Sequence, residues 1–412
     1  MLIVQKYGGT SVANTEKIFC AAEKIARDYL KNNDMVVVLS AQGNTTDMLL
    51  EKADEISKTP AKRELDALLS TGEQQSAALM AMALVEMGLP AISLNSRQAG
   101  IFSTSDHGNA KIVSINPDRI KAELGKRNIV IITGFQGIDC NGETTTLGRG
   151  ASDTTAIALA AALSADLCEI YTDVNGIFTA DPRIIKDALK YREVGYNDML
   201  ELASMGASVL HSRSVELAQK FGVEFSVKSS GLESELTKIK EFANIEQKLV
   251  SGITSDRNIC KISIAGVKPE KTVAILHTLA KNKISIDTFT QEVGLKADNL
   301  SFSVSTGDCP KISEVLEACR GKIFDGEICT DTNLAKLSVI GAGIAYDASI
   351  ALVLYETLLS ESIKVHLLSL SAAKISALVA EDVVTRAITA LHAKFMDAGM
   401  LLAQHSSQEA IS

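Results

Sequence analysis

Across its 412 residues the chain has no CxxC pair, no apolar run of transmembrane length, no basic leader and no excess of positive charge. Each absence excludes something. Without CxxC spacing, and with seven cysteines in all, neither a zinc site nor a disulfide framework is indicated. Cys20, Cys140, Cys168, Cys260, Cys309, Cys319 and Cys329 read as reduced, small core residues. A net charge of -9 argues against a nucleic-acid or anionic-membrane partner, because both are held mainly by clustered Lys and Arg. Met1 runs straight into the strand-like Leu2-Ile3-Val4, with neither a charged nor an apolar leader, so a cytoplasmic protein is expected.

What is present suits two or three packed cores, since 46% of the residues are hydrophobic over a length that exceeds one compact core. Up to about residue 230, short β-branched runs alternate with helical patterns, the sequence form of an α/β sheet sandwiched by helices. Strands are predicted at 2–6, 35–40, 91–94, 129–133, 168–171 and 223–227. Ile18, Ala22, Ile25, Ala26 and Tyr29 recur at helical spacing, as do Ala156, Leu159, Ala160 and Leu163, and these faces are expected to cover the sheet.

Residues 232–248 are charged and helix-prone. After them the texture changes to two similar units. The first reads as a strand at 262–266, a helix through Leu279, strands at 284–287 and 300–304, and a helix to Cys319. The second reads as a strand at 337–341, a helix through Leu359, strands at 363–366 and 375–379, and a helix to Phe395. Gly266 and Gly341 are equivalent and lie 75 positions apart, so the tail is a tandem β-α-β-β-α repeat. The expected division is a large domain over 1–230, a linker helix with the first strand of the second unit over 231–257, a first unit over 258–331 and a second over 332–412.

Three segments carry chemistry. Lys6-Tyr-Gly-Gly-Thr-Ser11 puts a lysine at a strand's carboxyl end, followed by two glycines and two hydroxyls, which is how a backbone cradle for phosphate is built; it is also how a tight strand-to-helix turn looks. It is not a P-loop, because the GxxxxGK[ST] spacing is absent. Leu147-Gly-Arg-Gly-Ala-Ser-Asp153 offers an arginine fork for a carboxylate beside a helix start, or simply two capping residues. Tyr171-Thr-Asp173 and the polar loop to Arg183 suit an adenine and ribose pocket, or an ordinary turn-rich loop. Gly341-Ala-Gly343 follows a strand but carries Tyr346 where a dinucleotide fingerprint needs its third glycine, so dinucleotide binding is rejected.

Taken in order, Lys6-Tyr-Gly-Gly-Thr-Ser-Val12, Ser70-Thr-Gly-Glu73, Gly134-Phe-Gln-Gly137, Thr145-Thr-Leu-Gly-Arg-Gly150 with Ser152-Asp-Thr-Thr155, Tyr171-Thr-Asp173, Thr179-Ala-Asp-Pro-Arg183 and Leu200-Glu-Leu-Ala203 resemble the aspartokinase family across the first 230 residues. The tail resembles that family's pair of ACT domains, and the whole resembles its monofunctional form. The resemblance implies a three-layer amino-acid kinase sandwich with a central, mainly parallel sheet, followed by two ferredoxin-like ACT units. It implies transfer of the γ-phosphoryl group of ATP, with Mg2+, to the β-carboxylate of L-aspartate, the first step toward lysine, threonine and methionine. It also implies an amino-acid effector, lysine or threonine, and a homo-oligomer joined through the ACT units.

Residue by residue, the resemblance implies Lys6 and Asp153 as catalytic. Lys6, Tyr7, Gly8, Gly9, Ser11, Ser40, Thr172, Asp173, Phe178, Arg183 and Lys228 are implied at ATP. Thr46, Glu73, Arg149 and Ser152 are implied at aspartate, and Ser285, Asp287, Gln291 and Glu292 at the effector. Magnesium would sit on the phosphates, since no carboxylate cluster offers a metal cage. Three positions depart from the family pattern: Ala151 where a glycine is usual, and Ser208 and Ser212 where lysine and proline are usual. The second repeat, Leu368-Ser-Leu-Ser371 onward, also lacks an acidic residue that the family carries. The competing readings are a kinase of another amino acid and a non-catalytic amino-acid sensor.

Overall fold

The computed structural model describes residues 1–148, 150–204, 210–231, 236–241, 250–282, 284–292, 298–321, 323–324, 326–341, 344, 348–371 and 373–397. The N-terminal part runs β1 (Leu2–Tyr7), α1 (Thr15–Tyr29), β2 (Asp34–Leu39), α2 (Thr45–Ile56), α3 (Lys62–Glu86), β3 (Ala91–Leu94), β4 (Ile101–Ser103), β5 (Ile112–Ile115), α4 (Asp118–Gly125), β6 (Ile129–Thr133), β7 (Gln136–Ile138) and β8 (Thr144–Thr146). It continues through α5 (Ser152–Leu163), β9 (Leu167–Thr172), β10 (Glu193–Gly195), α6 (Tyr196–Ser204), α7 (Ser212–Phe221), β11 (Phe225–Ser229) and β12 (Thr237–Lys240).

The main sheet has the order β10-β12-β11-β9-β1-β2-β6-β3, parallel except where β12 runs against β11. Its inner strands are apolar on both faces, as parallel strands covered by helices must be. Alternation sorts the two sides: Ile3, Tyr7, Met35, Val37, Ile129 and Ile131 pack with α1 and α3, whereas Val4, Val36, Val38, Val130 and Ile132 pack with α4, α5 and α7. A smaller sheet, β5-β4-β7-β8, stands beside the carboxyl ends of the main strands.

The C-terminal part is β13 (Gly252–Val267), α8 (Pro269–Lys281), β14 (Thr288–Glu292), β15 (Asp298–Val304), α9 (Cys309–Glu317), β16 (Ile328–Ile340), α10 (Ala348–Ser360), β17 (Leu367–Ser371), β18 (Lys374–Ala380) and α11 (Val384–Asp397). Its sheet reads β14-β15-β13-β16-β18-β17. Two long antiparallel strands, β13 and β16, run through both repeats: Gly252–Asp256 pairs within the second, Ile259–Ile264 within the first, with a register shift between. The 75-residue offset reappears as a side-chain pair, Ser263 with Ser301 at 3.0 Å and Ser338 with Ser376 at 2.8 Å.

Three expectations change. Residues 231–257, read as a linker helix with a strand, contain β12: Thr237 and Ile239 are buried and Lys238 is exposed, a period of two that the surrounding charge masked. Residues 232–235 and 242–249 lie outside the described residues. The strands expected at 284–287 and 363–366 begin later, at Thr288 and Leu367. Ile284 N instead donates to Leu279 O and Ile363 N to Leu358 O, so in both repeats this apolar segment closes the preceding helix before the strand starts.

Ile131 is fully buried in the middle of the main sheet, whereas Val113 on β5 is largely exposed. Ile131→Ala is expected to cost about 2–5 kcal/mol and Val113→Ala within about 0.5 kcal/mol, read from chemical denaturation.

Candidate active site

β1 lies between β9 and β2, and the chain departs from it to either side, so the carboxyl ends of these strands open a crevice where ligands collect in such sheets. Three main-chain hydrogen bonds tie the strand ends together. Gly8 N donates to Tyr171 O (3.2 Å), Ser40 N to Tyr7 O (3.2 Å) and Gly134 N to Leu39 O (2.9 Å).

Alternation also selects what enters the crevice. Lys6 shares the face of Val4 and so looks toward α5, where its Nζ stands 2.6 Å from Asp153 Oδ1 in the helix's first turn. Both side chains are nearly buried, at 11% and 7% exposure. Beyond Tyr7 the chain turns through Gly8 and Gly9. A Cβ at Gly9 would lie 2.5 Å from Ala41 O, so only glycine lets the β1 and β2 loops meet. A Cβ at Gly8 would stand 3.6 Å from Lys6 Nζ and 4.0 Å from Ser11 Oγ, which puts the ammonium and a hydroxyl around the same stretch of bare backbone. The buried hydroxyls of Ser11, Thr133 and Thr154 have no hydrogen-bond partner among the described residues. Free hydroxyls just past the glycine turn (Ser11), at the end of β6 (Thr133) and in the first turn of α5 (Thr154), together with a lysine, are the makings of an anion site.

On the other wall Asp66, Ser70 and Glu73 share a buried face of α3. Glu73 Oε1 accepts from Ala41 N at 3.1 Å, and Oε2 is buried with no partner among the described residues. Burial outweighs the main-chain hydrogen bonds and pushes this carboxyl up to about 7. Thr46 sits partly exposed in the first turn of α2, and Gly72 of α3 approaches Thr45 next to it. Ser152 packs on Gly134, whose added Cβ would lie 2.6 Å from Ser152 Oγ.

Asp173, Phe178 and Arg183 line a cavity of about 240 Å³ whose other walls include Gly176, Ile253, Thr254 and Ile388. Thr172, at the end of β9, donates to Asp173 Oδ1 at 3.2 Å. Arg183 is exposed and forks onto Asp181, with Nη2 2.8 Å from Oδ2. Lys228 pairs with Glu169 and stands 5.8 Å over the Tyr171 ring. Ser285, Asp287, Gln291 and Glu292 lie far along the chain on and before the edge strand β14. There Asp287 Oδ2 is held by the buried Lys336 at 2.9 Å and by Ser303 Oγ at 3.1 Å.

Arg149 and Ser208 lie outside the described residues. Ala151 has φ -77°, so its side chain costs nothing; the left-handed turns fall on Gly148 (φ 90°) and Gly150 (φ 73°).

Sequence reasoning passed over a network beneath the crevice. Tyr7 and Tyr171 stack at 4.6 Å. Gln5 Nε2 donates to Glu169 Oε2 (2.9 Å) and Asp28 Oδ2 (3.0 Å), while the Tyr7 and Tyr171 hydroxyls donate to Gln5 and Glu169. The available signal was a Gln and a Glu in the middle of apolar strands, which must be paired when buried.

A parallel sheet with this crevice, its buried lysine and its glycine turn is the architecture of the amino-acid kinases. Residues 1–229 match the amino acid kinase family, and the chain belongs to it. Within that family it belongs with the aspartokinases: it is 44% identical over 398 residues to the aspartokinase of Bacillus sp. (strain MGA3), covering 96% of this chain and 97% of that one. The crystal structure of aspartate kinase from Synechocystis is 37% identical, with a TM-score of 0.55 over 98% of this chain and 71% of that chain. The E. coli aspartokinase III structure in complex with aspartate and ADP shares the fold at a TM-score of 0.79 and 23% identity, over 96% and 100% of the two chains.

Because the Glu73 carboxyl is raised in the folded chain, ionising it costs stability as pH rises from the ordinary carboxylate range through about 7. Glu73→Gln removes that cost. Thermal melting should show the variant more stable than the parent at pH 8, by on the order of 1–3 kcal/mol, and without that advantage near pH 4.5.

Proposed function

We propose that the chain transfers the γ-phosphoryl group of ATP to the β-carboxylate of L-aspartate, giving 4-phospho-L-aspartate, in the crevice at the end of β1. The observation that carries this reading is the Lys6–Asp153 pair at the switch point of the sheet, beside the exposed backbone of Gly8. The β-carboxylate is ionised at neutral pH and is itself the nucleophile, so no general base is required. What the site must supply is alignment and neutralisation of charge on the transferring group.

In this reading Asp153 aims Lys6 at the phosphoryl oxygens. Gly8, Gly9, Ser11 and Ser40 cradle the phosphates. Thr172, Asp173, Phe178 and Lys228 border the nucleoside, joined by Arg183 once it gives up Asp181. Glu73 takes the α-ammonium of aspartate, Arg149 its α-carboxylate, and Thr46 and Ser152 flank it. Magnesium enters with the substrate as MgATP, where it offsets the charge of the phosphates. A non-catalytic sensor would have no use for a buried lysine paired at the crevice. Among the described residues no helix is long and apolar enough to cross a membrane.

Residues 258–331 and 332–412 serve as the paired regulatory units, taking lysine or threonine and joining copies of the chain. Two features support control through the nucleotide loop. Ala180 and Ile185 pack into the core of the second unit. Thr179 accepts from Ile253 N at 2.8 Å through its carbonyl and meets His392 Nε2 at 3.1 Å through its hydroxyl. An effector ammonium at Asp287 competes with Lys336 for the carboxylate, whose Oδ2 the lysine holds at 2.9 Å.

An ADP-release assay with ATP, magnesium and L-aspartate tests the reading. Aspartate-dependent turnover is expected, falling about 100-fold or more in Lys6→Ala; equal turnover with glutamate, or none, overturns it. The kcat/KM for aspartate should fall by about tenfold per unit below a limb near pH 7, and Glu73→Gln should erase that limb. For regulation, Lys336→Met should lower the lysine or threonine concentration giving half-inhibition by at least about threefold, measured in the same assay.

A further inference from the structure

Arg213, the second residue of α7, was not singled out by any motif. Its Nη1 donates to Leu147 O at 2.9 Å and its Nη2 to Ala110 O at 2.8 Å. The two carbonyls belong to different segments: Leu147 directly follows β8, and Ala110 ends the turn between β4 and β5. Ala110 N in turn donates to Thr146 O at 2.9 Å.

From the α3 side, buried Asp66 holds the same two segments. Its Oδ1 accepts from the Thr146 hydroxyl at 2.6 Å, and its Oδ2 from Gly108 N at 3.0 Å and His107 Nδ1 at 2.8 Å. The end of β8 is therefore pinned from two helices. The chain then leaves through Gly148 and Gly150, both in the left-handed region, and enters α5, whose second residue is Asp153. The start of α7 lies against this turn, since a Cβ at Gly150 would come within 3.0 Å of His211 Cδ2. Gly148 and Gly150 carry no side chains to pack against a neighbour, so the course of the chain into α5 depends on how Leu147 is held. A planar fork to two carbonyls on separate segments is something arginine can do and lysine cannot.

We propose that Arg213 is a positioning residue for aspartate recognition: its fork fixes Leu147, the point from which the turn containing Arg149 departs. This rests on the reading that Arg149 grips the α-carboxylate of aspartate. Arg213 touches neither substrate in this assignment and acts through the loop.

The test measures KM for aspartate, KM for ATP and kcat in the full-length chain, its Arg149→Ala variant, Arg213→Lys and Arg213→Gln, with melting curves for each. Arg213→Lys is expected to raise KM for aspartate by about tenfold or more while KM for ATP stays within about twofold and kcat falls less than about threefold. Arg213→Gln, which also loses the fork, carries the same expectation should the lysine variant fail to fold. An unchanged KM for aspartate in the folded variants overturns the inference. So does a parallel rise in both KM values with a matching loss of kcat, which is what a purely structural role would give. If the parent chain shows no aspartate-dependent turnover, or Arg149→Ala keeps the parent's KM for aspartate, the reading of the site has failed, and the inference falls with it.

Discussion

A lysine and an aspartate, both almost withdrawn from water, meet at the end of β1, and much of the N-terminal architecture is arranged around that meeting. Either charge left alone in such a place would cost several kcal/mol, so the pair stands or falls together. It forms only if β1 is interior to the sheet, if its even-numbered residues face α5, and if α5 begins directly beneath the strand's end. β9 and β2 on either side satisfy the first condition, and strict alternation along Val4 and Lys6 the second. The third is met by a glycine-flanked turn that brings Ser152 and Asp153 back under the sheet.

The same alternation that sends Lys6 to one side sends Gln5 and Tyr7 to the other, where they join Glu169, Tyr171 and Asp28. The crevice is thus backed by a second polar layer in which each described member has a partner. Such layers resist deformation because every displacement strands a buried polar group. The stacked tyrosines bind β1 to β9, the two strands whose ends carry the glycine turn and the loop that lines the cavity.

Toward the C-terminus the constraint is shared strands. β13 and β16 each contribute to both repeats, so neither unit can shift without dragging the other's sheet. The second unit also takes Ala180 and Ile185 into its core, and through them the loop lining the cavity. A ligand that repacks this unit therefore has a mechanical connection to that loop, which is the physical requirement for coupling two sites.

Period-two and period-3.6 patterns located the central strands and the helices over them, because burial on both faces leaves little choice of residue. The ordered motifs brought the glycine turn, Lys6, Glu73 and Asp153 into one expected site. Local pattern failed where the chain's role depends on distant neighbours. Ile284 and Ile363 look like strand residues yet close helices, and Thr237–Lys240 looked like part of a charged helix yet pairs with β11. What the sequence determined by itself was the inventory of chemistry and the layering of the sheet, since periodicity and turn residues are local properties. Only the tertiary structure decided that Asp287 belongs to Lys336, that Glu73 is dry enough to titrate near neutrality, and that Arg213 clamps Leu147 to Ala110. Each of those depends on which groups share a desolvated space across tens or hundreds of residues, and no spacing along the chain encodes that.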